Sequence, residues 1–510
     1  MSSNDPSNLF KSQFPQPKRD SFRRRFISVA DHINERRLKQ FSQDRYCKHY
    51  ASLSLDEGST LKTAYLDFVL HNTKDKLGEY VADTLEMQGG KAEDYKNTIP
   101  IGINYIKNFD INISTVVVDS NRAQMNALRE LKESKKSDEM IRNLIVVPCL
   151  CHRINNAYKF AVTHNEKFKA LLTQMRSIAK TLNSSKSEYN NCPTFVDTRW
   201  IYDLDILRYL KKNEDGINKY LRSKLAQNRI TPEMLDLENM LMVLKKLTLI
   251  FEDPNLPLSK AYPILESAID ALKEAEEICM ETSKPFYRGV RNSLKSYTIS
   301  SKEGGIWLLS YILTPDGIKD ITLRKNGHER KKGSLSDFQF HYEKSTNDSD
   351  ENQHDFVKEK TIEEFYANES EEVEPTTTIT EQEVNAYYER SCKALQEICD
   401  SLHKKKDEEN YIMQLFDAYL IGDLESDFPQ FRETFGKNSW NWEIIAENQE
   451  IMPFADIALR LQPTPCSEAS AERAISLQRL VILRQRNRAL KDLIESRLVY
   501  MRCQIKKFLD

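Results

Sequence analysis

Short apolar runs alternate with amphipathic stretches over residues 51–148, and this pattern predicts a sheet with helical crossovers. Three strands, a helix, a strand, a helix and a fifth strand are predicted at 51–56, 63–71, 78–87, 92–109, 113–119, 121–134 and 143–148. The first three strands are close in sequence and are expected to pair antiparallel. The runs at 113–119 and 143–148 are rich in β-branched residues, which is typical of strands buried on both faces.

The order βββαβαβ is that of a ribonuclease-H-like core, in which the first and fourth strands lie side by side and parallel. Asp56 closes the first apolar run and Asp119 closes the fourth, so both carboxylates are expected at neighbouring strand ends. Carboxylates this close repel each other unless cations lie between them, and Mg²⁺ prefers oxygen ligands. The pattern favours a metal site, and the simpler alternative is two turn aspartates at strand ends.

Helical spacing dominates the rest of the chain. Helices are predicted at 203–212, 232–251, 258–281, 285–298, 382–405 and 410–421, with a buried apolar segment at 308–315. Low hydrophobicity and a block of acidic residues at about 325–382 predict a disordered linker between these groups of helices.

The predicted fold class is mixed α/β. Its four segments are a polar, basic N-terminal segment at 1–50, the first part of the core at 51–198, a helical insertion at 199–450 and a C-terminal region at 451–510 that completes the core.

Glu472 lies early in a predicted helix at 467–486, for which Ser467 is the predicted N-cap. A single helical Glu is ordinarily a solvated surface residue, and this one gains interest only beside Asp56 and Asp119. A second helix is predicted at 490–508. The apolar stripe along both helices indicates a core or a subunit interface rather than a ligand pocket.

The charge balance is nearly even, with 74 Lys and Arg against 77 Asp and Glu and a net charge of −3. A wholly basic DNA-coating protein is therefore not expected, although local basic patches remain open. The basic residues between Lys18 and Lys39 predict either a solvated helix face or a patch for nuclear import or the DNA backbone. No apolar run is long enough for a membrane span. The nine cysteines form no CxxC pair, which favours free thiols in a reducing compartment.

Two short motifs carry further candidate chemistry. Cys149 and His152 form a C-x-x-H pair without obvious partners for a zinc site, so a packing Cys beside a functional His is the favoured interpretation. Arg199 and Trp200 are either a core Trp with a surface Arg or a stacking face for an extruded base.

Four blocks together resemble the hAT superfamily of DNA transposases. They are SerLeuSerLeuAspGluGlySerThr at 52–60, ValValValAspSerAsn at 116–121 with CysLeuCysHis at 149–152, AspThrArgTrp at 197–200, and ProPheAla at 453–455 with ProCysSerGluAlaSerAlaGluArgAlaIleSer at 465–476. Their order and separation match the family over about residues 50–505. The resemblance implies a ribonuclease-H-like catalytic core, a large all-α insertion and a C-terminal dimerisation region.

The same resemblance assigns the family's catalytic Asp-Asp-Glu triad to Asp56, Asp119 and Glu472, which would hold two Mg²⁺ or Mn²⁺ ions. The residues assigned to DNA binding are His152, Arg199, Trp200 and Arg473. The implied activity is metal-dependent DNA strand cleavage and strand transfer. The implied partners are transposon-end and target DNA and further copies of the chain, as a homodimer or higher oligomer, and the implied location is the nucleus.

One departure from the family bears on function. Family members usually begin with a zinc-finger DNA-binding domain, and residues 1–50 contain no such Cys/His framework. The alternative hypothesis is therefore a truncated or domesticated transposase-derived protein. Such a protein would act as a dimerising nucleic-acid-binding or regulatory module without transposition.

Overall fold

The computed structural model describes the chain in thirteen stretches. These are residues 19–43, 50–60, 63–72, 80–119, 121–184, 188–194, 202–224, 228–254, 256–325, 332–338, 381–421, 424 and 441–474. By internal contacts the chain divides into two units. The first comprises the described parts of Met1–Ile113, Arg122–Arg142 and Ser470–Asp510, and the second comprises those of Ser114–Asn121 and Asn143–Ala469.

The strands form a mixed sheet whose order is β3-β2-β1-β4-β5. Their bounds are Ala51–Thr60 (β1), Thr63–His71 (β2), Tyr80–Met87 (β3), Ile113–Val118 (β4) and Ile145–Pro148 (β5). β1 pairs antiparallel with β2, β2 pairs antiparallel with β3, and β4 pairs parallel with β5. The predicted mixed α/β class is confirmed, and so is the strand–helix order over 51–148 except for an additional four-residue helix, Glu139–Arg142, before β5.

The described helices are more numerous than the sequence pattern predicted. They are α1 Arg19–Gln43, α2 Ala92–Lys107, α3 Arg122–Glu133, α4 Glu139–Arg142, α5 Leu150–Thr163, α6 Glu166–Ser184, α7 Tyr202–Lys212, α8 Glu214–Ser223, α9 Pro232–Leu235, α10 Glu238–Phe251, α11 Ala261–Ile278, α12 Lys284–Tyr297, α13 Gly304–Ile312, α14 Pro315–Lys325, α15 Glu381–Ser401, α16 Lys406–Ile421, α17 Trp442–Ile445 and α18 Met452–Leu461. Among the residues described, no helix is both long and apolar enough to cross a bilayer.

The register of β1 and β2 decides which side chains share a face of the sheet. Asp56 lies opposite Asp67, and Ser54 lies opposite Val69. Directly opposed residues project to the same face, as does every second residue along a strand. Asp56, Asp67, Ser54 and Val69 therefore share one face, and Leu55 projects to the other.

The opposite face of β2 is covered by α2. Phe68 is fully buried, and a Cβ atom added at Gly102 of α2 would overlap its ring. A glycine at this position lets the helix backbone approach the sheet closely. On the same face as Phe68, Glu57 accepts a short hydrogen bond from the hydroxyl of Tyr95 in α2.

The N-terminal basic segment forms α1, which packs in the first unit. Leu38 is fully buried, and Asn34 Nδ2 donates to the carbonyl of Ala82 in β3 at 2.9 Å. The hydroxyl of Tyr80 donates to Asn34 Oδ1 at 2.6 Å, while Arg36 is exposed. One side of this helix therefore packs against the sheet, and Arg36 lies on a solvated side.

One sequence prediction in the second unit is wrong in detail. The predicted helix at 232–251 divides after Leu235, and the hydroxyl of Tyr287 donates at 2.5 Å to the carbonyl of Asp236 at the break. The predicted linker includes an ordered turn at Leu335–Phe338, since Leu335 and Phe338 are buried and Glu274 of α11 accepts from the Leu335 amide at 2.7 Å. Residues 339–380 of that linker lie outside the described residues.

Candidate functional site

Asp56 lies within β1 and not at its end. The sequence pattern predicted a strand that closes at Asp56, but pairing with β2 continues through Thr60. The hydrophobic pattern does not predict this continuation, because residue 58 is glycine and the residues around it are polar. Asp56 is half-buried, so its carboxylate can reach a ligand above the sheet.

Asp67 is a second carboxylate on the face of Asp56, and the sequence analysis did not single it out. It lies directly opposite Asp56, is fully buried, and accepts a short hydrogen bond from the hydroxyl of Thr84 in β3. Like charges directly opposed in a sheet destabilise it. Its sequence signal was the carboxylate inside an otherwise apolar strand, ThrAlaTyrLeuAspPheValLeuHis at 63–71.

Glu472 is carried on the face of the sheet that bears Asp56. A helical segment begins at 469 and is described to residue 474. Its Ala471 and Ala474 pack against Val69 of β2, with Val81 of β3 beside them. Val69 and Asp56 project from the same face, so the helix that carries Glu472 covers that face. Glu472 is half-buried at this position.

Arg473 is exposed, and its charge reaches a buried histidine of β2. Burial, followed by the positive charge of Arg473, lowers the pKa of His71 from 6.5 to about 3. His71 Nε2 lies 2.8 Å from the hydroxyl of Ser54. His71 is therefore neutral at physiological pH, and no feature of the sequence distinguished it from a packing residue.

Asp119 directly follows β4, where the sequence analysis placed it, and the structure brings His152 to it. His152 Nε2 lies 3.8 Å from Asp119 Oδ2. The contact arises because the amide of Cys149 donates at 2.8 Å to the carbonyl of Val118, which sets the start of α5 beside the end of β4. His152 lies in the first turn of α5 and points back to Asp119.

The other ring nitrogen of His152 faces Glu468. His152 Nδ1 and Glu468 Oε1 are 2.7 Å apart, and the Glu468 side chain is fully buried. Together with Cys149 Sγ, these groups offer three ligand atoms within 4.8 Å of one another. The cluster of Cys149, His152 and Glu468 is hereafter called the Cys-His-Glu cluster.

Polar contacts fix the segment that carries Glu468. The Thr464 carbonyl accepts from the Leu258 amide at 3.0 Å, and the Cys466 carbonyl accepts from the Leu150 amide at 3.1 Å. Ser467 Oγ donates at 2.6 Å to the Phe251 carbonyl and accepts from the Ala469 amide at 3.3 Å. The helix begins two residues after Ser467, and that hydroxyl binds its first amide, so the predicted cap is close to the observed one.

The electrostatics of the Cys-His-Glu cluster favour an ion pair. Burial alone would lower the pKa of His152, but hydrogen bonding to Cys149 and Glu468 and the negative charge of Glu468 outweigh burial and raise that pKa well above 6.5. Burial, the Cys151 thiol and the Glu468 charge together raise the pKa of Cys149 well above 9.0. Because the Cys149 thiol is then neutral at pH 7, the carboxylate of Glu468 is the anion that pairs with the His152 imidazolium.

The predicted residues differ in how far the structure describes them. Asp119 and His152 are brought together within the second unit, and Asp56 and the Glu472 helix share a face within the first. The convergence of all three carboxylates stays a prediction. Arg199 and Trp200 lie outside the described residues. Glu468 was missed as a site residue although it lies four positions before Glu472 in the same block.

These elements define a class of protein: a largely helical, mixed α/β protein whose sheet carries acidic side chains, with a histidine held between two carboxylates. No protein-family model matches the sequence, and no curated protein does. Among solved structures, a similar chain is that of the Drosophila P element transposase strand transfer complex. The identity is 11% and the TM-score is 0.27, over 58% of this chain and 76% of that chain. A TM-score of this size does not define a shared fold.

Proposed function

We propose that the chain is a DNA transposase of the hAT type that cleaves and transfers DNA strands with Asp56, Asp119 and Glu472. The supporting observation is the placement of the acidic residues on the sheet. β1, which carries Asp56, is next in order to β4, which ends one residue before Asp119. This adjacency of the first and fourth strands is the arrangement expected of a ribonuclease-H-like core.

The helix of Glu472 adds the third carboxylate. It packs through Ala471 and Ala474 on the face of β2 that is continuous with the Asp56 face of β1. A Glu on a late helix that covers the carboxylate-bearing face is what a three-carboxylate site requires. The directly opposed Asp67 places a second carboxyl group on the face of Asp56.

The donor set fits Mg²⁺ or Mn²⁺. Asp56, Asp119 and Glu472 supply only carboxylate oxygens, the ligands that these hard ions prefer. All three side chains are half-buried and so remain accessible to a phosphodiester. When bound, two such ions supply Lewis-acid stabilisation of the reacting phosphate. The part played by the chain is to hold the carboxylates, and His152 Nε2 lies 3.8 Å from Asp119.

The remaining assignments follow from the resemblance to the hAT family. His152, Arg473, Arg199 and Trp200 would contact DNA, and the exposure of Arg473 suits contact with phosphates. Self-association through residues 453–505 would form a dimer or higher oligomer, and the nucleus would be the site of action. Light scattering at micromolar protein concentration tests the assembly: a dimer or larger particle is expected, and a monomer contradicts it.

Cleavage of supercoiled plasmid DNA with Mg²⁺ or Mn²⁺ tests the activity. The wild-type protein is expected to nick the plasmid only when a divalent ion is present. Asp56→Asn, Asp119→Asn and Glu472→Gln are each expected to reduce the rate by roughly 100-fold or more, because residues that act as a unit lose most activity together. Glu57→Gln is the matched control, since Glu57 follows Asp56 in the chain but projects to the opposite face and binds Tyr95.

Two outcomes would contradict the proposal. Equal cleavage by the wild type and the three carboxylate variants would assign the activity to another site or to a contaminant. No cleavage by the folded wild-type protein would favour the alternative, a domesticated transposase-derived protein that binds nucleic acid and dimerises without transposition.

A further inference from the structure

The Cys-His-Glu cluster has the ligand types of a zinc site. Thiolate sulfur, imidazole nitrogen and carboxylate oxygen are the ligands that Zn²⁺ takes in proteins, at distances of about 2.0–2.3 Å. Ligand atoms around a tetrahedral Zn²⁺ then lie roughly 3.3 Å apart. The three ligand atoms of the cluster are all within 4.8 Å of one another. His152 Nδ1 and Glu468 Oε1 are 2.7 Å apart, so these two atoms would separate slightly to admit an ion.

The backbone fixes all three ligands before any ion binds. Cys149 is the residue before α5 and His152 lies in the first turn of that helix, so the C-x-x-H spacing places both side chains at one helix end. Glu468 is delivered by the segment whose Cys466 carbonyl accepts from the Leu150 amide. The C-x-x-H pair that lacked partners in the sequence therefore gains a third ligand from a residue more than three hundred positions downstream.

The contact of His152 with Asp119 is a second, independent observation. A metal-binding histidine almost always donates its other ring N–H to a carboxylate or carbonyl, which fixes the tautomer. His152 Nδ1 faces Glu468 at 2.7 Å, and its Nε2 faces Asp119 at 3.8 Å. One ring nitrogen therefore faces the cluster, and Asp119 lies within ion-pair distance of the other nitrogen.

Burial favours a bound cation. Glu468 is fully buried and Cys149 is 1% exposed. A buried carboxylate needs a cation beside it. A Zn²⁺ ion with the Cys149 thiolate, the Glu468 carboxylate and a neutral His152 carries no net charge, and so balances this buried group without a protonated imidazole. The partly exposed side of His152 leaves a position for a fourth ligand such as water.

We propose that Cys149, His152 Nδ1 and Glu468 bind one Zn²⁺ ion, at a site separate in its ligands from the Mg²⁺ site of Asp56, Asp119 and Glu472. The ion would tie the start of α5 to the segment before the Glu472 helix. Its existence does not depend on transposase activity, because the ligands are set by the fold of the second unit.

Metal analysis of the purified full-length chain tests the site. The wild-type protein is expected to hold about one zinc ion per chain, and replacement by Co²⁺ is expected to give a thiolate-to-cobalt charge-transfer band. Cys149→Ser and Glu468→Gln are each expected to lose the ion, and Cys149→Ser to lose the band. Cys399→Ser is the matched control, since Cys399 is a buried free thiol of α15, and it should retain both.

Two further variants sharpen the assignment. Asp119→Asn is expected to weaken zinc binding less than either ligand variant does, because Asp119 is not a ligand and lies 3.8 Å from His152 Nε2. Cys151→Ser is expected to keep the ion, because Cys151 Sγ donates to the Thr248 carbonyl. Circular dichroism separates ligand loss from unfolding, and Glu468→Gln decides the matter if Cys149→Ser fails to fold.

The proposal is overturned if the folded wild-type chain binds neither Zn²⁺ nor Co²⁺, or if Cys149→Ser and Glu468→Gln hold the ion as tightly as the Cys399→Ser control. Loss of zinc from Cys151→Ser alone would also contradict the three-ligand assignment. Plasmid cleavage is a separate measurement, so a protein that binds zinc but does not cut DNA contradicts only the proposed function.

Discussion

His71 is a titratable residue whose burial links folding to pH. Its pKa is lowered from 6.5 to about 3 by burial and then by the charge of Arg473. Because the unfolded chain binds the proton more tightly, the stability is complete above pH 6.5 and falls as the pH drops toward 3. When the pH falls from 7 to 5, protonation of His71 in the unfolded chain is expected to lower the free energy of unfolding by about 2 kcal/mol.

Denaturant unfolding of the wild type and of His71→Gln at pH 7 and pH 5 measures how the free energy of unfolding depends on the protonation of His71. Gln keeps a donor for Ser54 but does not titrate, so the variant is expected to lose about 2 kcal/mol less than the wild type over the same interval. An equal pH dependence in the two proteins would mean that His71 is not the titrating group.

Asp203 is a fully buried carboxylate in the second unit that depends on two partners. Arg176 donates to it from Nε at 2.9 Å and from Nη2 at 2.5 Å, and the Tyr158 hydroxyl donates at 3.0 Å. Arg176→Met leaves the charge unpaired and is expected to cost about 3–5 kcal/mol. Tyr158→Phe removes one hydrogen bond and is expected to cost about 1 kcal/mol.

Thermal or denaturant unfolding measures the change in stability for Arg176→Met and for Tyr158→Phe. Lys169→Met is the control, because its ion pair with Glu166 is exposed on both sides and is expected to change stability by less than about 0.5 kcal/mol. If Arg176→Met loses no more stability than Lys169→Met does, the buried pair of Arg176 and Asp203 does not stabilise the unit.

At the residue scale the sequence was informative where chemistry sits in a recognisable block. The resemblance quoted Asp119, His152 and Glu472, and the structure places Asp119 beside His152. It could not show Glu468 as a partner of His152, because that contact depends on the Leu150 amide binding the Cys466 carbonyl across the fold. A contact between residues so far apart in the chain leaves no local periodicity.

Among the elements, α2 depends on a glycine at its contact with the sheet. The Cβ of Gly102→Ala would overlap the ring of Phe68, which is fully buried and cannot move aside freely. Overpacking of this kind is expected to cost about 1–3 kcal/mol. Gly289→Ala in α12 is the matched substitution, because nothing lies within 4 Å of its added Cβ. It is expected to stabilise by about 0.5–1 kcal/mol, since Ala favours a helix over Gly.

Unfolding of the two glycine variants under identical conditions checks this contrast. Opposite signs are expected, with Gly102→Ala less stable and Gly289→Ala more stable than the wild type. If Gly102→Ala is as stable as the wild type, α2 does not pack on Phe68 as closely as described.

Strands and amphipathic helices were predicted well where apolar side chains are buried, as for β2, β4 and α2. Errors fall where a tertiary contact overrides local pattern. Polar residues extend β1 past Asp56 because β2 supplies hydrogen-bond partners as far as Thr60. The acidic linker contains a buried turn because Leu335 and Phe338 find an apolar site on the helices of the second unit.

For the whole molecule, the central claim is that Asp56, Asp119 and Glu472 meet around a metal pair. The sequence predicted the fold class and the order of strands, and the sheet order confirms that β1 and β4 are neighbours. Sequence pattern alone could not establish convergence, because it depends on how segments hundreds of residues apart pack together.

Iron-directed backbone cleavage measures that convergence directly. Fe²⁺ bound in place of Mg²⁺ and treated with ascorbate and peroxide cuts the backbone beside the ion, because hard divalent ions of similar preference share carboxylate sites. Cuts beside residues 56, 119 and 472 are expected together, and Asp119→Asn is expected to abolish the cut beside residue 56. If the wild type shows no cut beside residue 56, the shared site is contradicted. The same holds if Asp119→Asn leaves that cut unchanged.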